Sequence, residues 1–186
     1  MSAIDLGRFR LHVVSDGKFK LDGGAMFGVV PKALWQRHKN ADDENRIDMG
    51  TNCLLIEAGN ELVLGDTGLG DKQDEKYQRI FAHESGAQRL PESIRAAGFE
   101  VGDVTHVVLT HLHFDHCGWN TRLDGAGNPA DPVPLGAGAH VHQLGTGRQT
   151  QQVECLLRRQ GASVGQTQGL AALLRHGYDG ELVVVN

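Results

Sequence analysis

Apolar and polar residues alternate along the opening of this 186-residue chain. Phe9, Leu11 and Val13 alternate with Arg10 and His12, the run meets Asp16 and Gly17, and Phe19, Lys20 and Leu21 follow. A period of two marks a half-buried strand, and glycine after aspartate supplies the positive φ of a tight turn, so the pattern predicts a β-hairpin over residues 9–21. Residues 31–37 read as a short helix opened by Pro31 at its first position. Residues 51–57 and 61–65 are apolar runs joined through Gly59 and Asn60, a second hairpin signal. Residues 74–81 predict a helix with acids in its first turn and Tyr77, Ile80 and Phe81 on one face. Residues 90–97 predict another, with Pro91 near its start and Gly98 as its stop. The β-branched run at 104–110 reads as a buried strand. Strands interleaved with helices in this order predict an α/β layered domain.

From about residue 136 the text changes. Lysine is absent there, acids are sparse, and Gln and Gly accumulate between Gln143 and Gln168. Weak helical patterns remain at Val153, Leu156 and Leu157 and at Leu170, Leu173 and Leu174. The chain closes on the apolar run 181–186, a strand with no visible successor.

Composition narrows the function classes. The length suits one domain with a real core. A formal charge of -5, with no basic stripe or aromatic platform, implies no nucleic-acid partner. No apolar run is long enough to span a membrane, and the first residues lack a signal-peptide pattern. Cys53, Cys117 and Cys155 are too few and too far apart for a disulfide framework. They suit a reducing compartment, so a cytoplasmic location is the expectation.

The chemistry concentrates at residues 111–116, His-Leu-His-Phe-Asp-His. Imidazole and carboxylate are the side chains zinc prefers where no thiolate is offered. His111 and His113 are two apart, so in extended backbone both point to one side and can share an ion. Asp115 and His116 follow directly and need a turn, which suits a second ion beside the first. A solvated loop that happens to collect histidines is the plainer alternative. His140 and His142 repeat the two-residue spacing without a neighbouring acid, which reads as one face of an ordinary strand. Cys53 reads as core and Cys117 as a small buried residue. Asp66 has a plain reading as a turn residue after a strand, aided by Gly68 and Gly70. The glycines there lack the Gly-Lys-Ser/Thr ending of a phosphate loop.

His-x-His-x-Asp-His resembles the signature of the metallo-β-lactamase-fold hydrolases. The segment Thr51, Asn52, Cys53, Leu54, Leu55, Ile56 resembles a core strand of that superfamily. Gly65, Asp66, Thr67 and Gly68 resemble its Asp-Thr-Gly turn, and Val107 to Thr110 the strand that delivers the ligand loop. Ser15, Asp16 and Gly17, the stretch Gly23 to Gly28, and Pro31 are similar to the lactonase and organophosphate-hydrolase-like branch. The likeness runs from about residue 8 to about residue 134. It implies an αββα sandwich, with residues 1–135 as its N-terminal half and 136–186 as a divergent or truncated tail of the same domain. It also implies two zinc ions, with manganese, iron or cobalt as alternatives that an N/O ligand set accepts. His111 and His113 would hold the first ion, and Asp115 and His116 the second. Asp115 would also orient or exchange a proton with the metal-activated hydroxide, and Asp66 would fix a ligand histidine from behind.

A complete member carries further ligands in a second half, including a histidine in a Gly-His-Thr-like turn. After Asn120 the remaining histidines are His140, His142 and His176 and the aspartates Asp124, Asp131 and Asp179, none in that context. Two readings of function follow. One is a metal-dependent hydrolase of esters, lactones or phosphotriesters, with a small-molecule substrate. The other is an inactive fragment that binds metal weakly or serves only in packing. Exposed strand edges would favour homo-oligomers in either case.

Overall fold

The computed structural model describes residues 3–83, 89–123, 126–127, 129–130 and 140–143, the last two segments as backbone. Its centre is a six-stranded mixed sheet. In chain order the elements are β1 (Ile4–Leu6), β2 (Phe9–Asp22), α1 (Gly23–Phe27), α2 (Lys32–Trp35), β3 (Arg46–Ala58) and β4 (Glu61–Gly65). Then come α3 (Glu75–Ile80), α4 (Arg89–Ala96), β5 (His106–Leu109), β6 (Arg122–Leu123), β7 (Pro129–Ala130) and β8 (His140–Gln143). The sheet order is β1-β2-β3-β4-β5-β8, antiparallel through β4 and parallel from β4 to β5 and β5 to β8. Strands β6 and β7 form a separate antiparallel pair.

Parallel neighbours need a long crossover, and α3 and α4 lie in the one between β4 and β5. The central strands are buried on both faces, which explains their continuous apolar runs. On one face Val14, Cys53, Leu55, Leu64 and Val107 pack with Leu90 and Ile94 of α4, Val104 and Trp119. On the other, Phe9, Leu11, Ile56, Ala58, Val63 and Val108 form a second cluster. The register accounts for the split: Leu55 pairs with Leu64 and Leu64 with Val107, while Leu11 pairs with Ile56 and Ile56 with Val63.

Several expected elements are present. The β3–β4 hairpin turns through Gly59 and Asn60, with φ +65° at Gly59. Helix α3 begins after Asp74, whose carboxylate accepts the Tyr77 amide at 2.7 Å. Helix α4 ends before Gly98, at φ +98°. The helix after Pro31 is one turn long, with the proline as its cap residue.

The hairpin expected over residues 9–21 is absent: β2 is one 14-residue strand. Asp16 and Gly17 form a bulge, two residues facing the single Thr51 between the pairs Ser15↔Asn52 and Lys18↔Gly50. Two forces override the local turn signal. Strand β3 offers backbone partners on both sides of the bulge, from Asp22↔Arg46 to Phe9↔Ala58. The Asp16 carboxylate is engaged far from its own segment, as described below. Helix α3 also departs from expectation. Tyr77 and Phe81 pack on Phe114, with ring centroids 5.3 and 4.9 Å away, whereas Ile80 is 48% exposed. An i, i+4 pair suffices to grip one ring. His140 and His142 fall in β8, beside His106 and Val108 of β5. The tail patterns at 153–157, 170–174 and 181–186 lie outside the described residues. Among the described residues no helix is long and apolar enough to cross a membrane.

Candidate metal centre

Strand β5 ends at Leu109, and the chain then leaves the sheet at the edge of the core. Thr110 is buried, and the next six residues carry the histidines and the aspartate. The loop folds back on itself at His113, whose carbonyl accepts the amides of His116 at 3.0 Å and Cys117 at 3.2 Å. This is the turn that Asp115 and His116 required. The His111 ring centroid lies 4.5 Å from that of His113 and 4.0 Å from that of His116. Asp115 Oδ2 stands 3.5 Å from His116 Nε2. The four residues expected to act together are therefore neighbours.

Asp66 stands behind them, just past β4, at φ +59°. A left-handed conformation is costly for most residues, though aspartate tolerates it better than a β-branched side chain. It is held there by its amide, which donates to the Val108 carbonyl at 2.9 Å. Its carboxylate accepts from Thr110 N at 2.8 Å and lies 2.8 Å from His116 Nδ1. Asp66 is thus bonded to a histidine of the motif as well as turning the chain after β4.

The loops after β4 and β5 are laced together. Thr67 N donates to the His116 carbonyl at 2.7 Å, and Gly118 N to the Gly68 carbonyl at 2.7 Å. Trp119 N donates to the Thr67 carbonyl at 3.2 Å. Lys72 Nζ reaches the Gly118 and Thr121 carbonyls. The two backbones approach so closely at Gly70 and Gly118 that a Cβ on either would strike the other loop.

Asp16 joins these loops to the rest of the fold. It is 2% exposed, and each of its oxygens accepts two bonds. Oδ2 takes Leu69 N at 2.7 Å and Gly70 N at 2.9 Å, and Oδ1 takes Leu90 N at 3.0 Å and Trp119 Nε1 at 2.7 Å. One side chain on the bulge thereby ties β2, the loop after β4, the start of α4 and the segment after the motif. Sequence reading missed this role, because Asp-Gly carries the same signal in a turn as in a bulge. It also missed Thr110, read only as the end of a strand, and the clustering of Phe19, Tyr77 and Phe81 around Phe114.

Electrostatics separate the two best-placed imidazoles. Burial lowers the pKa of His111, and the neighbouring His116 and His113 lower it further. Burial also opposes the charged form of His116, but the bond to Asp66, the charge of Asp66 and that of Asp115 outweigh it, so its pKa is raised. Burial raises the thiol pKa of Cys117, with Lys72 pulling against it. Cys53 is in the core, as expected. Two other histidines serve ordinary packing: His12 Nε2 lies 2.7 Å from Glu57 Oε1, and His106 Nδ1 2.9 Å from Thr105 Oγ1.

The fit to a metal ion can be tested on these distances. Two ligands at about 2.1 Å from a tetrahedral ion lie about 3.4 Å apart. The 3.5 Å between His116 Nε2 and Asp115 Oδ2 matches that spacing. In the neutral ring the Asp66 bond to Nδ1 leaves Nε2 as the lone-pair nitrogen on the Asp115 side. Among the described residues, however, no three His, Cys, Asp or Glu side chains are gathered so that they could hold one ion. The donors are of the kind a metal takes, and one pair of them, His116 and Asp115, stands at ligand spacing.

Residues 46–156 match the family model of the metallo-beta-lactamase superfamily. The chain is 35% identical over 107 residues to a probable metallo-hydrolase of Mycobacterium tuberculosis, a match that takes in 50% of this chain and 34% of that protein. It superposes on the crystal structure of a probable metal-dependent hydrolase from Staphylococcus aureus with a TM-score of 0.60 and 34% identity, covering 64% of this chain and 43% of that one. The dizinc quorum-quenching lactonase AidC shares the fold with a TM-score of 0.52 at 21% identity, over 96% of this chain and 57% of its own. The chain spans less than two thirds of the length of each.

Proposed function

The chain belongs to the metallo-beta-lactamase superfamily, and on that premise we propose that it carries the first half of the metal centre of a hydrolase acting on esters, lactones or phosphotriesters. The observation that carries the reading is the arrangement Asp66, His116, Asp115. A carboxylate holds the back of an imidazole whose front nitrogen faces a second carboxylate at ligand spacing. In this reading His111 and His113 hold one ion and Asp115 and His116 the other, zinc being the first choice for an N/O set. When bound, such an ion lowers the pKa of water toward neutrality and polarises a carbonyl or phosphoryl oxygen.

This chain's own groups prepare that chemistry. Asp66 fixes the orientation of His116. Phe114, clamped by Phe19, Tyr77 and Phe81, anchors the centre of the loop, so that the residues on either side of it are held in place. The bonds from Thr67 and Gly118 keep the loop against the rigid end of β4. Asp115, beside the front nitrogen of His116, is the group we assign to exchanging a proton at the reacting centre. The choice of substrate class draws on the likeness to the lactonase branch, AidC included.

A second reading is favoured by the absence, among the described residues, of any three donors set around one point. In it the chain binds metal weakly and does not turn over substrate. The two readings separate in one experiment. Purified protein is loaded with zinc or manganese, its metal content is measured, and hydrolysis of a panel of model esters, lactones and phosphotriesters is followed. Wild-type protein should retain metal that the double variant His111→Ala/His113→Ala loses. Turnover abolished by His116→Ala supports the hydrolase. Metal retention without turnover supports the second reading, and equal metal content in wild type and double variant refutes both.

A further inference from the structure

Thr110 lies between Asp66 and two of the motif's imidazoles. Its hydroxyl oxygen is 3.0 and 2.9 Å from the two oxygens of Asp66, 3.0 Å from His111 Nδ1 and 3.3 Å from His116 Nδ1. A threonine hydroxyl has one proton to give and two lone pairs to offer. The carboxylate offers no proton, so the hydroxyl proton belongs to the Thr110–Asp66 contact. The hydroxyl oxygen is then left as an acceptor toward His111, and its partner there must be an N–H. His116 meets the carboxylate itself, and by the same proton count must present Nδ1–H to it.

We infer that Thr110 is a positioning residue that carries the proton demand of Asp66 to His111, so that one carboxylate sets the tautomer of two metal-facing imidazoles. His116 is set directly and His111 through the hydroxyl. In the neutral form of both rings Nδ1 bears the hydrogen and Nε2 the lone pair. This orders the site ahead of any ion. Free imidazole favours the opposite tautomer, with the hydrogen on the nitrogen an ion would take, so each ring must be switched before it can act as a ligand. The residue is built for the task. Thr110 is 4% exposed, its amide also binds Asp66 at 2.8 Å, and its β-branched side chain is stiff about χ1. The link to metal rests on the proposed function, whereas the tautomer assignment rests on the hydrogen bonds alone.

The test reads the two separately. Ring nitrogen shifts of His111 in the metal-free protein, from long-range proton–nitrogen correlation spectra, report which nitrogen is protonated. Wild type and Thr110→Ser should show Nδ1–H. Thr110→Val, equal in shape but without the hydroxyl, should move His111 toward the Nε2–H form. Zinc affinity, measured by chelator competition, should fall about 10–100-fold in Thr110→Val, the usual effect of removing an outer-shell partner, and recover in Thr110→Ser. Wild-type protein with His111 protonated on Nε2 overturns the inference, and this needs no variant to fold. So does a Thr110→Val spectrum identical to wild type. Should the tautomer shift as expected while no form of the protein binds zinc, the positioning role stands and the metallo-hydrolase reading falls.

Discussion

Replacing Asp16 with asparagine changes one atom at the point where four parts of the fold meet. Each carboxylate oxygen accepts two N–H bonds: Leu69 and Gly70 on one, Leu90 and Trp119 on the other. An amide retains one oxygen and turns the other into an NH2 group that accepts nothing. Whichever way it is oriented, two buried donors lose their acceptor and face another donor. Each orphaned buried donor costs about 1–3 kcal/mol, so Asp16→Asn should destabilise by about 2–6 kcal/mol. Burial does push the Asp16 carboxyl above the usual carboxylate range, against the pull of Trp119, Gly70, Leu90 and Leu69. The four N–H donors leave no acceptor for a carboxyl proton, so the raised pKa does not predict tolerance of asparagine. Against a typical total of about 5–15 kcal/mol, this loss is a large fraction of the stability. Equilibrium urea unfolding followed by tryptophan fluorescence is the assay, since the Trp119 indole is one of the four donors. With a slope of about 2 kcal/mol per molar, the midpoint should fall by about 1–3 M. A loss below about 1 kcal/mol, less than one orphaned donor should cost, would refute the claim that Asp16 binds the site loops to the sheet.

Asp66→Ala should lower zinc affinity about 10–100-fold while leaving the ligands in place, and unchanged affinity would return Asp66 to a turn residue. Gly118→Ala puts a methyl onto the Leu69–Gly70 peptide, a backbone clash that should cost about 1–3 kcal/mol. Gly102→Ala, at a position with open space, should change stability by less than about 0.5 kcal/mol, and equal thermal shifts for the two would refute the crossing of the loops. The Arg46 amide, with help from Lys20 and the Arg46 side chain, holds the Asp42 carboxyl down to about 2. A depressed pKa stabilises the fold fully above the unfolded value of 3.8 and loses that contribution as pH falls through about 2. A carbon-detected titration of Asp42 should therefore have its midpoint near 2, and a midpoint at 3.8 or above would show that the Arg46 contact is absent in solution.

Local spacing was enough to determine much of this protein. Gly59 and Asn60 between two apolar runs specify a hairpin because a two-residue loop needs a residue at positive φ, and the structure has one there. The apolar run before the motif is a strand buried on both faces, and the turn that Asp115 and His116 require is closed by the His113 carbonyl. The motif at 111–116 is legible for the same reason: its donors are neighbours in the chain before they are neighbours in space. Where the outcome depended on partners far away in sequence, the chain alone left it open. Asp16 and Gly17 carry the same local signal in a turn and in a bulge. Strand β3 and the donors from Leu69 to Trp119 choose the bulge, from as far as 103 residues away. Thr110 looks like one more strand residue until Asp66, 44 residues earlier, is folded against it and fixes where its proton goes. Backbone and side-chain preferences act over a few residues, whereas the sharing of a buried proton is decided only when the groups that compete for it have been brought together.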